Sequence, residues 1–440
     1  MQARTRTFSF IGASLYGNRG AEAMQVTSIA MIRRRFPECR INIFSYLPKE
    51  DTHLLKENPD KNIRVYSATP YSLVIMLFPL ALIARFLIWL RVPSLTRKLP
   101  FGIGAIAASD GFIDLSGVSF MLGRSKFLSY NLLTHLPPLL CKVPLFKLSQ
   151  AMGPFSGRFV GLASDLILPR CTLIVSRGES TCHHLVSRYG KRIRHRTAAD
   201  IAFLFEDSFS LTKEGSLETF KLLKRLQAMR STGSCFIGIC PSAVVYKKFS
   251  SLDQDYIGFL IRMISALKNN GYQIVIFPNA TRVKSPESAF NNDFFVLLKL
   301  KKQMGRAASE IHWVDWDVNT SSIRAIIRNM NACIVSRFHA MVAALSENVP
   351  TAVFSWSHKY LEVMSTFQME NFVYDYSNIE KFSEDDFCNV ATKLLSVHRT
   401  KIEDSLREVR ISAESQFDAL AEAIANRSEA FSEQAITAKP

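Results

Sequence analysis

Three features of the 440-residue chain predict two α/β domains, each built on a Rossmann-like parallel sheet. Short runs rich in Val, Ile and Phe recur, end in Gly, Ser or Asn, and are followed by longer segments with apolar residues at helical spacing. That alternation is the pattern of βα units joined by right-handed crossovers. The length exceeds one compact core and suits two of about 200 residues each. With 48% hydrophobic and 21% charged residues, the chain is neither disordered nor fibrous.

In the first half the expected strands are 7–13, 41–46, 111–115, 144–148 and 173–176; in the second they are 235–239, 273–277, 332–335 and 351–355. The polar, lysine-rich stretch 208–230 reads as a linker plus the first helix of the second domain, which divides the chain into 1–210 and 211–440. Residues 404–430 alternate Ala and Leu with charges, as a surface helix of the second domain does, and 432–440 read as a frayed end. In open parallel sheets ligands bind beyond the carboxyl ends of the strands, so the expected site is a cleft between the two domains.

Lys plus Arg total 54 against 38 Asp plus Glu, a net charge of +16 that favours an anionic partner. No arginine-rich tract interleaved with aromatics and no zinc-finger or RNP-type pattern occurs, which disfavours nucleic acid and leaves small anions or a membrane surface. The eight cysteines are scattered without a C-x-x-C pair and sit mostly in apolar runs, as in a reduced, cytoplasmic protein. Arg4 and Arg6 before an apolar run resemble a signal peptide, but the run is short and leads into Gly17-Asn18-Arg19-Gly20, so a first strand ending in a glycine loop is expected.

Residues 71–92 are long enough to span a bilayer but contain Pro79 and Arg85 and are followed by Arg91, Arg97 and Lys98. A span would split one α/β domain across the membrane. Two readings stay open: a buried helix, or peripheral membrane contact through 71–98 with the basic flank on anionic headgroups.

Two constellations follow strand ends. Gly17-Asn18-Arg19-Gly20-Ala21-Glu22-Ala23 lies between the first strand and a helix, where backbone N–H groups can face an anion or a sugar hydroxyl. In the second, the strand 332–335 delivers Arg337 and His339 beside the start of an Ala-rich helix, where N–H groups and the dipole favour phosphate or carboxylate. Arg337 can fork onto such a group, and His339 can exchange protons near neutral pH. Arg177, Arg282 and Lys359 each follow a strand, which suits a substrate with more than one negative group. No metal set is expected.

These residues resemble the polysaccharide pyruvyl transferase family from Phe8 to about Met369. The resemblance runs through Gly17 to Glu22, Asp114-Leu115-Ser116-Gly117, Gly153-Pro154, Arg177-Gly178-Glu179-Ser180 and Ala199 to Phe203. It is most specific at Ser336-Arg337-Phe338-His339-Ala340 with Pro350 and Lys359. The chain departs from the common pattern at Ala21, after Gly117 and at Phe338, which bears on the acceptor more than on the donor.

The resemblance implies a GT-B-like arrangement, phosphoenolpyruvate as co-substrate without a separate cofactor, and a glycan or glycolipid hydroxyl as acceptor. It implies donor binding by Arg337, Phe338 and His339, with Arg177, Lys359 and Arg282, and His339 as the acid. Acceptor binding falls to Gly17, Asn18, Gly20, Glu22, Ser116 and Gly117. The rivals are a nucleotide-sugar glycosyltransferase, for which Asp315-Trp316-Asp317 resembles a metal-binding Asp-x-Asp, and a catalytically silent membrane-associated scaffold.

Overall fold

The computed structural model describes residues 5–57, 59–121, 127–211, 216–288, 291–355, 358–375 and 381–437. Its chain contacts define two units: Met1–Tyr16, Met24–Phe205 and Ile411–Pro440 form unit 1, and Gly17–Ala23 with Glu206–Arg410 form unit 2.

Unit 1 carries a seven-stranded sheet built from β1 (Thr7–Ile11), β2 (Arg40–Ser45), β3 (Ile63–Ser67), β4 (Gly111–Asp114), β5 (Leu145–Gln150), β6 (Leu173–Ser176) and β7 (His195–Thr197). The order is β3-β2-β1-β4-β5-β6-β7, and every pairing is parallel. Unit 2 carries six strands: β8 (Phe236–Cys240), β9 (Gln273–Ile276), β10 (His312–Trp313), β11 (Ala332–Val335), β12 (Thr351–Ser355) and β13 (Val373–Asp375). They run β10-β9-β8-β11-β12-β13, again all parallel.

All nine strands expected from the sequence form, with ends displaced by a residue or two. The four not expected, β3, β7, β10 and β13, are the sheet edges. An edge strand is short and half-covered, so His195-Arg196-Thr197 of β7 shows no apolar run to read. Strand order reverses between β1 and β4 in unit 1 and between β8 and β11 in unit 2, and at such switch points the loops diverge and leave a crevice at the carboxyl ends.

Two assignments from the sequence change. The C-terminal helix, Arg399–Thr437, does not belong wholly to the second domain: from Ile411 it packs in unit 1, burying Phe417, Leu420 and Ile424. Its outward charges, which gave it the pattern of a surface helix, include Asp418, paired with Arg35 at 2.6 Å. The glycine loop, placed by sequence order in the first domain, packs in unit 2.

Residues 71–89 of this stretch lie within a continuous helix, Pro70–Trp89, that widens over Leu73–Leu77 just before Pro79, whose missing N–H cannot complete a regular turn. Leu73, Leu77, Ala81 and Ala84 form a buried stripe along its length, while Trp89 is 72% exposed. One face of this helix is thus core, as the buried-helix reading expects, and the other is exposed.

Asp51, in the first turn of the Pro48–Glu57 helix, fixes the chain just before the glycine loop, accepting the Tyr16 N–H at 2.9 Å and the Ser45 hydroxyl at 2.6 Å. Burial pushes its carboxyl up to about 6, above an unfolded value near 4. A raised carboxyl stabilises the fold below the unfolded value and loses that contribution as pH rises through 6, a difference on the order of 3 kcal/mol. Asp51→Asn should therefore lose this part of the pH dependence, so that the gap between the wild-type and variant urea midpoints changes between pH 4 and 7. An unchanged gap contradicts it.

Candidate active site

In unit 2 the Phe338–Ser346 helix starts directly after β11, with Ser336 and Arg337 in the connection. The helix is almost wholly buried because its sequence is Ala-rich and apolar. The Ser336 N–H bonds to Cys240 O at 3.0 Å, continuing the β8–β11 ladder to the switch point. Tyr256 donates its hydroxyl to Ser336 Oγ at 3.2 Å and accepts the Ser242 N–H at 3.2 Å, so one buried phenol ties the ends of both strands. Burial pushes the Tyr256 phenol up, and the group stays neutral.

Arg337 does not reach into open solvent as a loose cation; its side chain is 13% exposed. Its Nε donates to both carboxylate oxygens of Asp293 at 2.8 and 2.9 Å, Nη2 lies 2.6 Å from Asp293 Oδ1, and Nη1 donates to Asn291 Oδ1 at 3.0 Å. Burial works against the guanidinium charge, but the Asp293 carboxylate more than offsets it and holds the group above its ordinary pKa. Asp293 also accepts the Ala243 N–H after β8 and the Ala280 N–H after β9, each at 2.8 Å. One fully buried carboxylate, at the start of the Asp293–Met304 helix, thereby links the ends of β8, β9 and β11.

The remaining expected donor residues of unit 2 gather around this point. His339 is half-buried with its ring against Gly20: a methyl group added there would stand 2.1 Å from the imidazole Cγ, so only glycine fits. Phe338 meets the His339 ring edge-on at 5.3 Å, and Lys359 Nζ lies 5.0 Å over the Phe338 ring and 5.4 Å over that of Tyr360. Arg282 has its backbone N–H held by Asn292 Oδ1 at 3.0 Å, one residue before Asp293.

The glycine loop joins the same cluster although more than 300 residues separate it from His339 in the chain. Gly17 O accepts the Thr281 N–H at 3.1 Å, and the Arg19 N–H reaches Asn279 O at 2.9 Å. Asn18 Oδ1 caps the Arg19–Arg35 helix through Gly20 N at 3.0 Å. Glu22 is buried, 3.0 Å from Arg19 Nη1, and accepts both the N–H and the hydroxyl of Thr320. The Asn18 and Glu22 side chains thus hold the loop together.

Arg177, Ser116 and Gly117 belong to unit 1. Arg177 pairs with Asp200 at 2.6 Å and donates to Gly117 O at 3.2 Å, bracing the turn after β4. Ser116 hydrogen-bonds Asp114, whose other oxygen meets His135 at 2.7 Å and Lys147 at 2.5 Å, all three fully buried. Burial alone would push Asp114 up, but the Lys147 ammonium and His135 outweigh it and hold the carboxyl well below its usual range. Burial, helped by the Lys147 charge, pulls His135 down. Of the Asp315-Trp316-Asp317 motif, Asp315 pairs with Lys301 at 2.5 Å and Asp317 caps the Val318 N–H at 3.1 Å. Among the described residues no group of three His, Cys, Asp or Glu is placed to hold a metal ion.

Residues 18–358 match the family model described as polysaccharide pyruvyl transferase. The chain belongs to this family.

This pyruvyl transferase is 22% identical over 366 residues to the amylovoran biosynthesis protein AmsJ of Erwinia amylovora, covering 80% of the chain and 84% of AmsJ. Its fold is shared with UGT71G1 of Medicago truncatula, at 9% identity, TM-score 0.54 and coverage of 96% of this chain and 98% of that one. UDP-GlcNAc 2-epimerase of Methanocaldococcus jannaschii matches at 10% identity and TM-score 0.52, covering 92% and 99%. The transferase therefore has the two-sheet architecture of GT-B enzymes.

Sequence reasoning missed Asp293, Asn291 and Tyr256 in the transferase. Asn291-Asn292-Asp293 before an apolar helix is a helix-start signal that marks the position, but nothing local shows that its carboxylate reaches Arg337. Asp293→Asn should weaken the Arg337 pair and leave a buried charge uncompensated, destabilising unit 2 by about 3–5 kcal/mol. Urea unfolding followed by fluorescence checks this; a loss below about 1 kcal/mol contradicts it.

Proposed function

We propose that this enzyme transfers the pyruvyl group of phosphoenolpyruvate to sugar hydroxyls during exopolysaccharide assembly. One observation carries the reading: a guanidinium held in fixed orientation by Asp293 and Asn291, at the start of the Phe338–Ser346 helix and two residues before His339. With Nε and Nη2 turned to Asp293 and one Nη1 N–H on Asn291, the second N–H of Nη1 is the one proposed to meet a carboxylate or phosphate oxygen. The helix start adds favourable dipole, and Lys359 and Arg282 add charge. The exopolysaccharide context comes from AmsJ, a biosynthesis protein by name.

In the proposed reaction His339 delivers a proton that converts the C3 methylene to methyl, one acceptor hydroxyl adds to C2 of the enol, and the proton of that hydroxyl returns to His339. The C2–O bond to phosphate then breaks, and a second acceptor hydroxyl takes its place at C2, its proton leaving with inorganic phosphate. The balance needs no oxidant and no further cofactor. Fixed cations face the charge that grows on the leaving phosphate, usually the largest catalytic contribution. For the acceptor we assign, within unit 2, the turn at Gly17 and Gly20 that Asn18 and Glu22 keep in shape, and separately, within unit 1, the turn at Ser116 and Gly117 that Arg177 keeps in shape. A cytoplasmic location fits the donor and the eight free cysteines.

The test is incubation of the full chain with phosphoenolpyruvate and a panel of glycosides, read by phosphate release and product mass. Wild type should release phosphate only with an acceptor present, and His339→Ala should lower the rate by about 10²- to 10⁴-fold with an unchanged unfolding midpoint. Wild-type rates in that variant, or turnover of nucleotide sugars in place of phosphoenolpyruvate, contradict the reading.

A further inference from the structure

Unit 1 presents an apolar surface that its own core does not use. The Pro70–Trp89, Leu128–Leu140 and Arg158–Ile167 helices contribute to one core cluster, and the middle one packs against both others. Each outer helix buries one face: Leu73, Leu77 and Ala81 in the first, Val160, Ala163 and Ile167 in the second. Their opposite faces ought to be polar in a helix that meets only water. Instead Ile75, Leu82, Phe86 and Trp89 are exposed on the first, and Phe159, Leu162 and Leu166 on the second, with Phe159 at 76%. Seven exposed large apolar side chains, on two helices that flank a common neighbour, point to an interaction site.

The charges around it select the partner. No Asp or Glu occurs between Asp60 and Asp110, whereas Lys61, Arg64, Arg85, Arg91, Arg97 and Lys98 fall in that interval. Arg85, Arg91, Arg97 and Lys98 are all exposed beside the first helix, Arg158 and Arg170 are exposed at the two ends of the second, and the exposed Asp165 on that helix is paired with Arg188 at 2.7 Å. Trp89 stands at the junction of the apolar face with Arg91, the position that an indole takes at a membrane–water boundary. The buried stripe along Pro70–Trp89 keeps the helix on the unit, so it lies flat and does not cross a bilayer.

We infer that this face of unit 1 is a bilayer-docking surface, with anionic phospholipid headgroups on its arginines and lysine and the acyl boundary on the two apolar helix faces. The surface suits an acceptor carried on a lipid. It stands on the helices of unit 1 alone and holds whether or not phosphoenolpyruvate is the donor.

The experiment is co-sedimentation of the full chain with vesicles of phosphatidylcholine alone and of phosphatidylcholine mixed with phosphatidylglycerol. Wild type should bind the anionic vesicles strongly, the neutral ones weakly, and lose affinity as salt rises. Phe86→Ser with Trp89→Ser, and separately Phe159→Ser with Leu162→Ser, should each lower the affinity by at least about tenfold while the melting temperature stays, because these side chains point outward. Comparison of wild type with Trp89→Phe should assign a blue-shifted, lipid-quenchable emission to Trp89. Equal vesicle binding by both double variants overturns the inference. So does absence of vesicle binding together with a concentration-dependent dimer that the same substitutions dissolve, which would make a second copy the occupant.

Discussion

The Asp293 carboxylate is the constraint on which the candidate site depends. It is fully buried, and it bonds the Arg337 guanidinium and the N–H groups of Ala243 and Ala280. A buried carboxylate is stable only with such a set of partners, and a guanidinium in the same surroundings is stable only opposite a carboxylate. Each fixes the other, and together they fix the loops after β8, β9 and β11. In the proposed reaction the clamped arginine would lose little freedom when an anion arrives, whereas a mobile one would have to be ordered at that moment.

The glycine loop repeats the logic through contact in place of charge. Gly20 leaves room for the His339 ring, and the buried Arg19–Glu22 pair anchors Thr320 at the start of its helix. A loop near one end of the sequence and a histidine near the other thus determine one another's positions. In unit 1 the buried Asp114–Lys147 pair does comparable work for the Ser116–Gly117 turn, which Arg177 braces from outside.

How much of this was legible in the sequence follows from what each element buries. Central strands are covered on both faces and read as apolar runs, so all nine were found, and β3, β7, β10 and β13 escaped because edges need no such run. Arg337 and His339 were legible because they follow a buried strand directly. Asp293 was not, since its role arises only when three strand ends converge. The membership of Ile411–Pro440 in unit 1 is likewise a long-range fact that Asp418 meeting Arg35 records and local periodicity does not. Hydropathy flagged residues 71–92 but averages around the helix, and it cannot separate a stripe of Leu73, Leu77 and Ala81 facing inward from Phe86 and Trp89 facing outward.

The most direct measurement is calorimetric titration of the full chain with phosphoenolpyruvate, repeated on Arg337→Met. Saturable binding by the wild type, not displaced by nucleotide sugars and weakened at least about a hundredfold in the variant, which has lost a charged hydrogen-bonding partner, is the expected result. Equal affinities in the two proteins would contradict the account at its centre.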